Sequence, residues 1–293
     1  MSERVARRMG PGMSLLIVAG QRRRVLRAFA AALAPLETTL VWSAPGPGLG
    51  QAERMTSNLW SAAIAFICAM PMELEPLTQK LGLTEELIGD MTVRVGTLGG
   101  LPVVGVVTGM GTALATEGTS KLLEAVEVDR VVVVGITGAV DNITPIGTLI
   151  LPEVVVDSAT GAEHRPTQLG DGSPSGKMWT TDTLITDLDV IAALRAQGVV
   201  SLDMETAAIA QLCEQRGIPW SVFRVISDRA TDGTITEEVF KLSNLDGSPN
   251  NEAIERYFAE HPENISTMAK LAEYATLATD AAAEAAIQAC STI

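Results

Sequence analysis

The sequence predicts an α/β fold: one domain built on a largely parallel or mixed β-sheet covered on both faces by helices. Three observations carry this. Short, almost fully apolar runs such as AIAFICAM (63–70), DRVVVVGITGAV (129–140) and WSVFRVISD (220–228) fit strands buried on both sides. Segments with helical spacing alternate with them, which is the order that lays helices on both faces of a sheet. The apolar share of 47% in 293 residues is enough to fill a large core.

Residues 1–60 are set apart by charge. They hold eight arginines and three glutamates, a balance of +5, while the remaining residues carry 13 basic against 32 acidic groups, or −19. QRRRVLRAFAAALAPL (21–36) can form a short basic amphipathic helix, and SAPGPGLGQ (43–51) reads as a linker. An arginine-led targeting leader is weighed against Pro35 and Glu37, which break the apolar run. The expectation is a poorly ordered or partly helical basic extension, or sequence translated ahead of a start at Met55, followed by the domain proper at 61–293.

Within 61–293 the elements follow in order. Pro71 opens a helix over 72–82 with Leu74, Leu77 and Leu81 on one face and Gly82 at its end. MTVRVGTL (91–98) and LPVVGVVTG (101–109) flank Gly99-Gly100, a two-residue hairpin signal. A helix is expected across 109–126, a buried strand across 129–140, a strand bent at Pro152 across 147–157, and a polar loop across 158–178. The segment 184–198 reads as a helix capped by Asp187, and VVSLDMETAAIAQLCEQRG (199–217) as a second helix capped by Ser201 or Asp203. After the strand 220–228 the chain is helical and acidic to its end, over 252–261 and 265–290.

Composition removes several function classes. A net charge of −14 disfavours nucleic acid and anionic membranes as partners, and 4% aromatic residues leave no stacking platform for single strands. Cys68, Cys213 and Cys290 are scattered without a CxxC pair, which fits reduced core thiols and a cytoplasmic protein. With only His164 and His261 there is little material for a histidine metal site or a Ser-His-Asp triad, and no metal or cofactor is expected.

Ligands of such sheets bind at the carboxyl ends of strands. Four segments fall there: 69–73, 108–111, 135–138, and Ser227-Asp228 with the nearby Asp203-Met204-Glu205. Taken singly, each acid has an ordinary explanation. Asp203, Glu205 and Glu73 suit helix starts, and Asp228 suits a turn. Arg224 within an apolar strand is harder to dismiss, because a buried arginine requires partners.

Together, AMPMELEPL, TGMG, GITGAV, TTDTLI (180–185), LDMETAAIA and VFRVISD, in this order over roughly 63–240, resemble the nucleoside phosphorylase/nucleosidase superfamily, most closely the methylthioadenosine/S-adenosylhomocysteine nucleosidases. The resemblance implies a twisted mixed sheet flanked by helices, a purine nucleoside as small-molecule partner, and a homodimer. It implies that Asp228 protonates the departing purine with Ser227 orienting it, that Glu73 activates water, and that Glu205 holds the ribose hydroxyls. Met204 would pack on the sugar, Arg224 would lie near it, and Leu184 and Ile185 would line the base pocket. Gly138 and Asp203 are expected as binding residues beside them. Ile136 and Ala139 depart from the family's pattern in that turn, and Phe240 is a candidate pocket cover. A phosphorylase, a hydrolase of another purine nucleoside such as futalosine, and a non-catalytic binder are the alternatives. A phosphorylase needs basic groups around the anomeric carbon, and the 69–77 segment offers Glu73 and Glu75 instead. A binder has no use for both Glu73 and Asp228.

Overall fold

The computed structural model describes residues 60–293. The expectations for 1–59 lie outside the described residues. The strands are β1 (Trp60–Cys68), β2 (Thr84–Ile88), β3 (Met91–Leu98), β4 (Leu101–Val107), β5 (Val126–Ala139), β6 (Leu149–Ile150), β7 (Val154–Asp157), β8 (Glu163–His164), β9 (Lys177–Thr180), β10 (Val199–Asp203) and β11 (Trp220–Arg229). The helices are α1 (Pro71–Leu81), α2 (Thr112–Ala125), α3 (Leu188–Ala196), α4 (Thr206–Arg216), α5 (Glu237–Phe240), α6 (Asn251–Glu260) and α7 (Ile265–Cys290).

All eleven strands join one mixed sheet, ordered β2-β3-β4-β1-β5-β10-β9-β7-β8, with β11 and β6 on the other edge of β5. β5 is the axis. Its first half runs parallel to β1, its second half runs parallel to β11, and its tip at Gly138–Ala139 pairs antiparallel with β10. Strand alternation divides the core into two layers. Val131 and Val133 of β5 pack under Leu122 of α2 and Ile209 and Cys213 of α4. Val132 and Val134 face the opposite way, against Leu77 of α1 and Ala282 and Ala286 of α7. The alanine-rich composition of α7 lets that long helix lie close on the sheet.

Several boundaries differ from those the sequence suggests. Residues 199–203 form a strand, with Val199, Ser201 and Asp203 buried in alternation, so the helix begins only at Thr206. Asp203 still serves that helix start, since its carboxylate accepts the Thr206 N–H at 3.0 Å, whereas Ser201 does not cap it. The bent strand 147–157 is two short strands, β6 and β7, interrupted at Leu151–Glu153. The polar 158–178 loop contains β8 and the start of β9. β2 appears where no element was expected. Its charged, exposed TEELI pattern is that of a protected sheet edge. The expected cap at Asp187 is present, accepting from Asp189 N–H at 2.8 Å and Val190 N–H at 3.2 Å.

Candidate active site

At the centre of the site is Arg224, 2% exposed in the middle of β11. A guanidinium buried in an apolar strand must find acceptors for its fork of donors. Nη1 donates to Glu73 Oε1 at 3.2 Å and to the Ile136 carbonyl at 3.0 Å. Nη2 donates to Asp203 Oδ2 and to Glu205 Oε2, both at 3.1 Å. Three carboxylates from three elements thus converge on one cation: Glu73 in the first turn of α1, Asp203 at the end of β10, and Glu205 at the entry to α4. Burial disfavours the arginine's charge, but Asp203, Glu73 and Glu205 more than offset it, and its basicity rises.

Each carboxylate is held differently. Glu73 is fully buried, and four donors fill its lone pairs: Ala69 N–H at 2.8 Å and Met70 N–H at 3.0 Å on Oε2, Ile136 N–H at 2.8 Å and Arg224 on Oε1. Burial pushes its pKa up, against the pull of Arg224 and these backbone donors. Asp203 is also saturated, by the Thr180 hydroxyl at 2.6 Å, by the Thr206 N–H and hydroxyl, and by Arg224. Glu205 has only two partners among the described residues, Arg224 and the Gly111 N–H at 2.9 Å. Burial raises its pKa to about 7, with Asp203 and Glu73 adding to the rise against Arg224.

Asp228 stands apart from this cluster. The β5–β11 register slips between Ile226 and Asp228, and such a bulge re-aims the following side chain. Oδ1 accepts the Ser227 hydroxyl at 2.6 Å, and no described residue donates to Oδ2. Burial pushes its pKa up, the Ser227 bond pulls it down, and Asp232 pushes it further up.

Two glycines of β5 make room for these acids. A Cβ on Gly135 would stand 2.1 Å from Glu73 Oε1 and 2.7 Å from Arg224 Nη1. One on Gly138 would stand 3.1 Å from Asp228 Oδ2. The GITG sequence is therefore the imprint of two carboxylates lying against the strand.

These groups open onto a cavity of about 280 Å3 at the carboxyl ends of β1, β5 and β11. Every site residue expected from the sequence borders it: Glu73, Asp203, Met204, Glu205, Arg224, Ser227 and Asp228, with Gly138, Leu184, Ile185 and the cover candidate Phe240. Asp203 differs from the others, since its oxygens are used by Arg224, Thr180 and Thr206; its geometry is that of a positioning residue. Ile136 and Ala139, noted as departures, sit in this wall and beneath it: Ile136 gives its N–H to Glu73, and Ala139 is core. Sequence reasoning missed the wall formed by Met268, Leu271, Ala272 and Ala275 of α7. The signal was present, because these positions follow i, i+3, i+4, i+7. Elsewhere on the surface, Glu238, Glu260 and His261 bring ligand atoms within 4.8 Å of one another, and His261 pairs there with Glu238 and Glu263.

An open α/β sheet with buried, pKa-shifted acids at its strand ends defines an enzyme site for a small molecule. The chain belongs to the Phosphorylase superfamily, which it matches over residues 63–178 and 162–257. Among curated relatives it is 29% identical to the 5'-methylthioadenosine/S-adenosylhomocysteine nucleosidase of Anoxybacillus flavithermus, over 57% of this chain and 85% of the relative. Its fold is similar to the corresponding nucleosidase of Neisseria meningitidis in complex with methylthio-immucillin-A, with TM-score 0.56 and 18% identity over 80% of this chain and all of that one. It is equally similar to futalosine hydrolase of Helicobacter pylori, with TM-score 0.58 and 14% identity over 80% of this chain and 99% of that one. Among the described residues no helix is long and apolar enough to cross a membrane. The three cysteines are free and buried.

Proposed function

We propose that this chain is a nucleosidase that hydrolyses the N-glycosidic bond of a purine nucleoside of the methylthioadenosine/S-adenosylhomocysteine type, releasing adenine and a free thio-sugar. The observation that carries the reading is the division of acids around one cavity. Asp228 stands alone with a raised pKa, and Glu73 and Glu205 share the cation Arg224.

The chemistry rests on that division. Glycosidic bonds break through an oxocarbenium-like transition state. Adenine leaves poorly as an anion, so Asp228, whose protonated form desolvation favours, donates its proton to ring nitrogen 7 as the C–N bond lengthens. Glu205, with acceptor capacity to spare, takes the ribose hydroxyls and offsets the developing positive charge. Water attacks the anomeric carbon and gives its proton to Glu73. Because four donors already fill Glu73, one must yield to water, and the Arg224 contact, longest at 3.2 Å, is the one to do so. Met204 packs on the sugar, and Leu184, Ile185 and Phe240 enclose the base and its surroundings.

The second reading is phosphorolysis. Arg224 is the sole cation bordering the cavity among the described residues; four acceptors occupy its two Nη groups, and only the buried Nε is left without a partner. A phosphate nucleophile would meet three carboxylates that already share this one cation. The likeness to futalosine hydrolase keeps another purine nucleoside as an alternative substrate within the hydrolase reading. The test is a panel of purine nucleosides incubated with and without phosphate; base release without phosphate is expected. We further propose a cytoplasmic homodimer serving methionine salvage, for which light scattering of the purified chain tests the dimer.

A further inference from the structure

Four successive N–H groups at the start of α2 go to four different segments. Gly109 donates to the Ala69 carbonyl at 3.0 Å, Met110 to the Leu245 carbonyl at 2.7 Å, Gly111 to Glu205 Oε1 at 2.9 Å, and Thr112 to Asp182 Oδ1 at 2.8 Å. Gly109 and Gly111 both lie at φ +94, a backbone that strains any side chain and turns successive donors to different sides. Of the two carboxylates in this set, Glu205 is assigned to the sugar and Asp182 has no assigned role. Asp182 lies in the loop after β9, between Thr181 and Thr183, which border the cavity. Its second oxygen takes the Thr112 hydroxyl at 2.6 Å. The start of α2 needs this acceptor. Its N-cap residue, Gly111, has no side chain to cap with, and its first turn carries no acid. Helix starts favour both an acceptor and a negative charge, and Asp182 supplies them from 70 positions away. The loop is fixed in turn on β10, where the Thr180 hydroxyl donates to the Asp203 carboxylate at 2.6 Å and the Thr181 N–H to the Asp203 carbonyl at 2.9 Å.

We infer that Asp182 is a positioning residue for Glu205: by clasping Thr112 it keeps the adjoining Gly111 N–H on Glu205 Oε1, and so keeps that carboxylate aimed at the ribose hydroxyls. This rests on the nucleosidase reading of the same site. Glu205 depends on such help more than its neighbours do. Glu73 and Asp203 each have four donors, whereas Glu205 has Arg224 on one oxygen and Gly111 on the other. Arg224 is itself divided among three acids. Without the Gly111 bond one oxygen is unanchored, and the carboxylate swings about its contact with Arg224. The loss falls on recognition of the sugar hydroxyls, since orientation is what the contact supplies.

The test compares kcat/KM for base release from methylthioadenosine and from its 2′-deoxy counterpart, with the full chain in phosphate-free buffer. Asp182→Ala should narrow the preference for the riboside by about 3- to 30-fold, the range that one lost helix cap spans. Asp182→Asn can still accept the Thr112 N–H and donate to its hydroxyl oxygen, so it should keep most of the preference. A residue needed only for folding would lower both rates together, because the folded fraction cancels in the ratio. An unchanged ratio in folded Asp182→Ala therefore overturns the inference and leaves the nucleosidase reading standing. Thr112→Val deletes the hydroxyl half of the clasp and makes the same test should Asp182→Ala fail to fold; a smaller narrowing is expected, and none overturns the inference. Amide hydrogen exchange needs no substrate: Gly111 should exchange faster in Asp182→Ala than in the wild type, and an equal rate overturns the clasp. Release from neither nucleoside by the wild type overturns the nucleosidase reading and the inference together.

Discussion

Replacing Arg224 by methionine, which has similar reach and no charge, strips one cation from three buried carboxylates. The side chain is 2% exposed and makes four hydrogen bonds, three of them to carboxylates. Leaving a buried charge without its partner costs about 3–5 kcal/mol, and here three acids share the loss. The cost depends on pH. The acids can escape by taking up protons, and removing Arg224 takes away a cause that lowers the pKa of both Glu73 and Glu205. A carboxylate whose folded pKa lies above its unfolded value binds protons more tightly when folded. Its contribution to stability is therefore complete below the unfolded value and is lost as pH rises through the folded one. In the wild type that loss for Glu205 falls between the ordinary glutamate range and about 7. In Arg224→Met the folded values climb higher, so the variant should lose more than the wild type between about pH 5.5 and about pH 8. Urea unfolding at the two pH values, with m unchanged, measures this. A deficit under about 1 kcal/mol, or one equal at both pH values, would refute the shared-cation account. Arg224→Lys keeps the charge but lacks the fork, and should fall between the two proteins.

Other outcomes rest on the same geometry. Asp228→Asn should lower kcat by about 10²–10⁴-fold while retaining affinity for a substrate analogue; unchanged turnover would remove Asp228 from the mechanism. Activity should fall as pH rises through the raised pKa of Asp228, because the acid must carry its proton, and this alkaline limb should vanish in Asp228→Asn. Gly138→Ala puts a methyl 3.1 Å from Asp228 Oδ2, so kcat should drop by about 3- to 10-fold with little change in Tm. Gly135→Ala collides with Glu73 at 2.1 Å and should instead destabilise the protein by about 1–3 kcal/mol or more, seen as a lower unfolding midpoint. Asp203→Asn removes a charge that pushes the Glu205 pKa up, so a kinetic pKa near 7 should move down while the fold persists.

The strands that organise the sheet were legible because they are buried on both faces. The apolar runs within DRVVVVGITGAV and WSVFRVISD do not alternate with polar positions, and Gly99-Gly100 marked the hairpin between β3 and β4. VVSLD was hidden by its downstream neighbours. Asp203, Met204, Glu205 and Thr206 together imitate a capping sequence and draw the apparent helix start upstream. β2 was silent because an edge strand of charged residues has no apolar face to betray it. In the site, Glu73, Glu205, Arg224 and Asp228 could be named from motifs. That one guanidinium bridges Glu73, Asp203 and Glu205 could not, since the partners lie up to 151 positions apart. The α7 wall has helical periodicity, but periodicity alone does not distinguish a face turned to a cavity from one turned to the core.

The most direct measurement of the central claim is base release from methylthioadenosine across a phosphate titration beginning at zero, with the sugar product identified. The rate should be indifferent to phosphate, with a free thio-sugar as product. A rate that vanishes without phosphate, with a sugar 1-phosphate formed when phosphate is added, would contradict it.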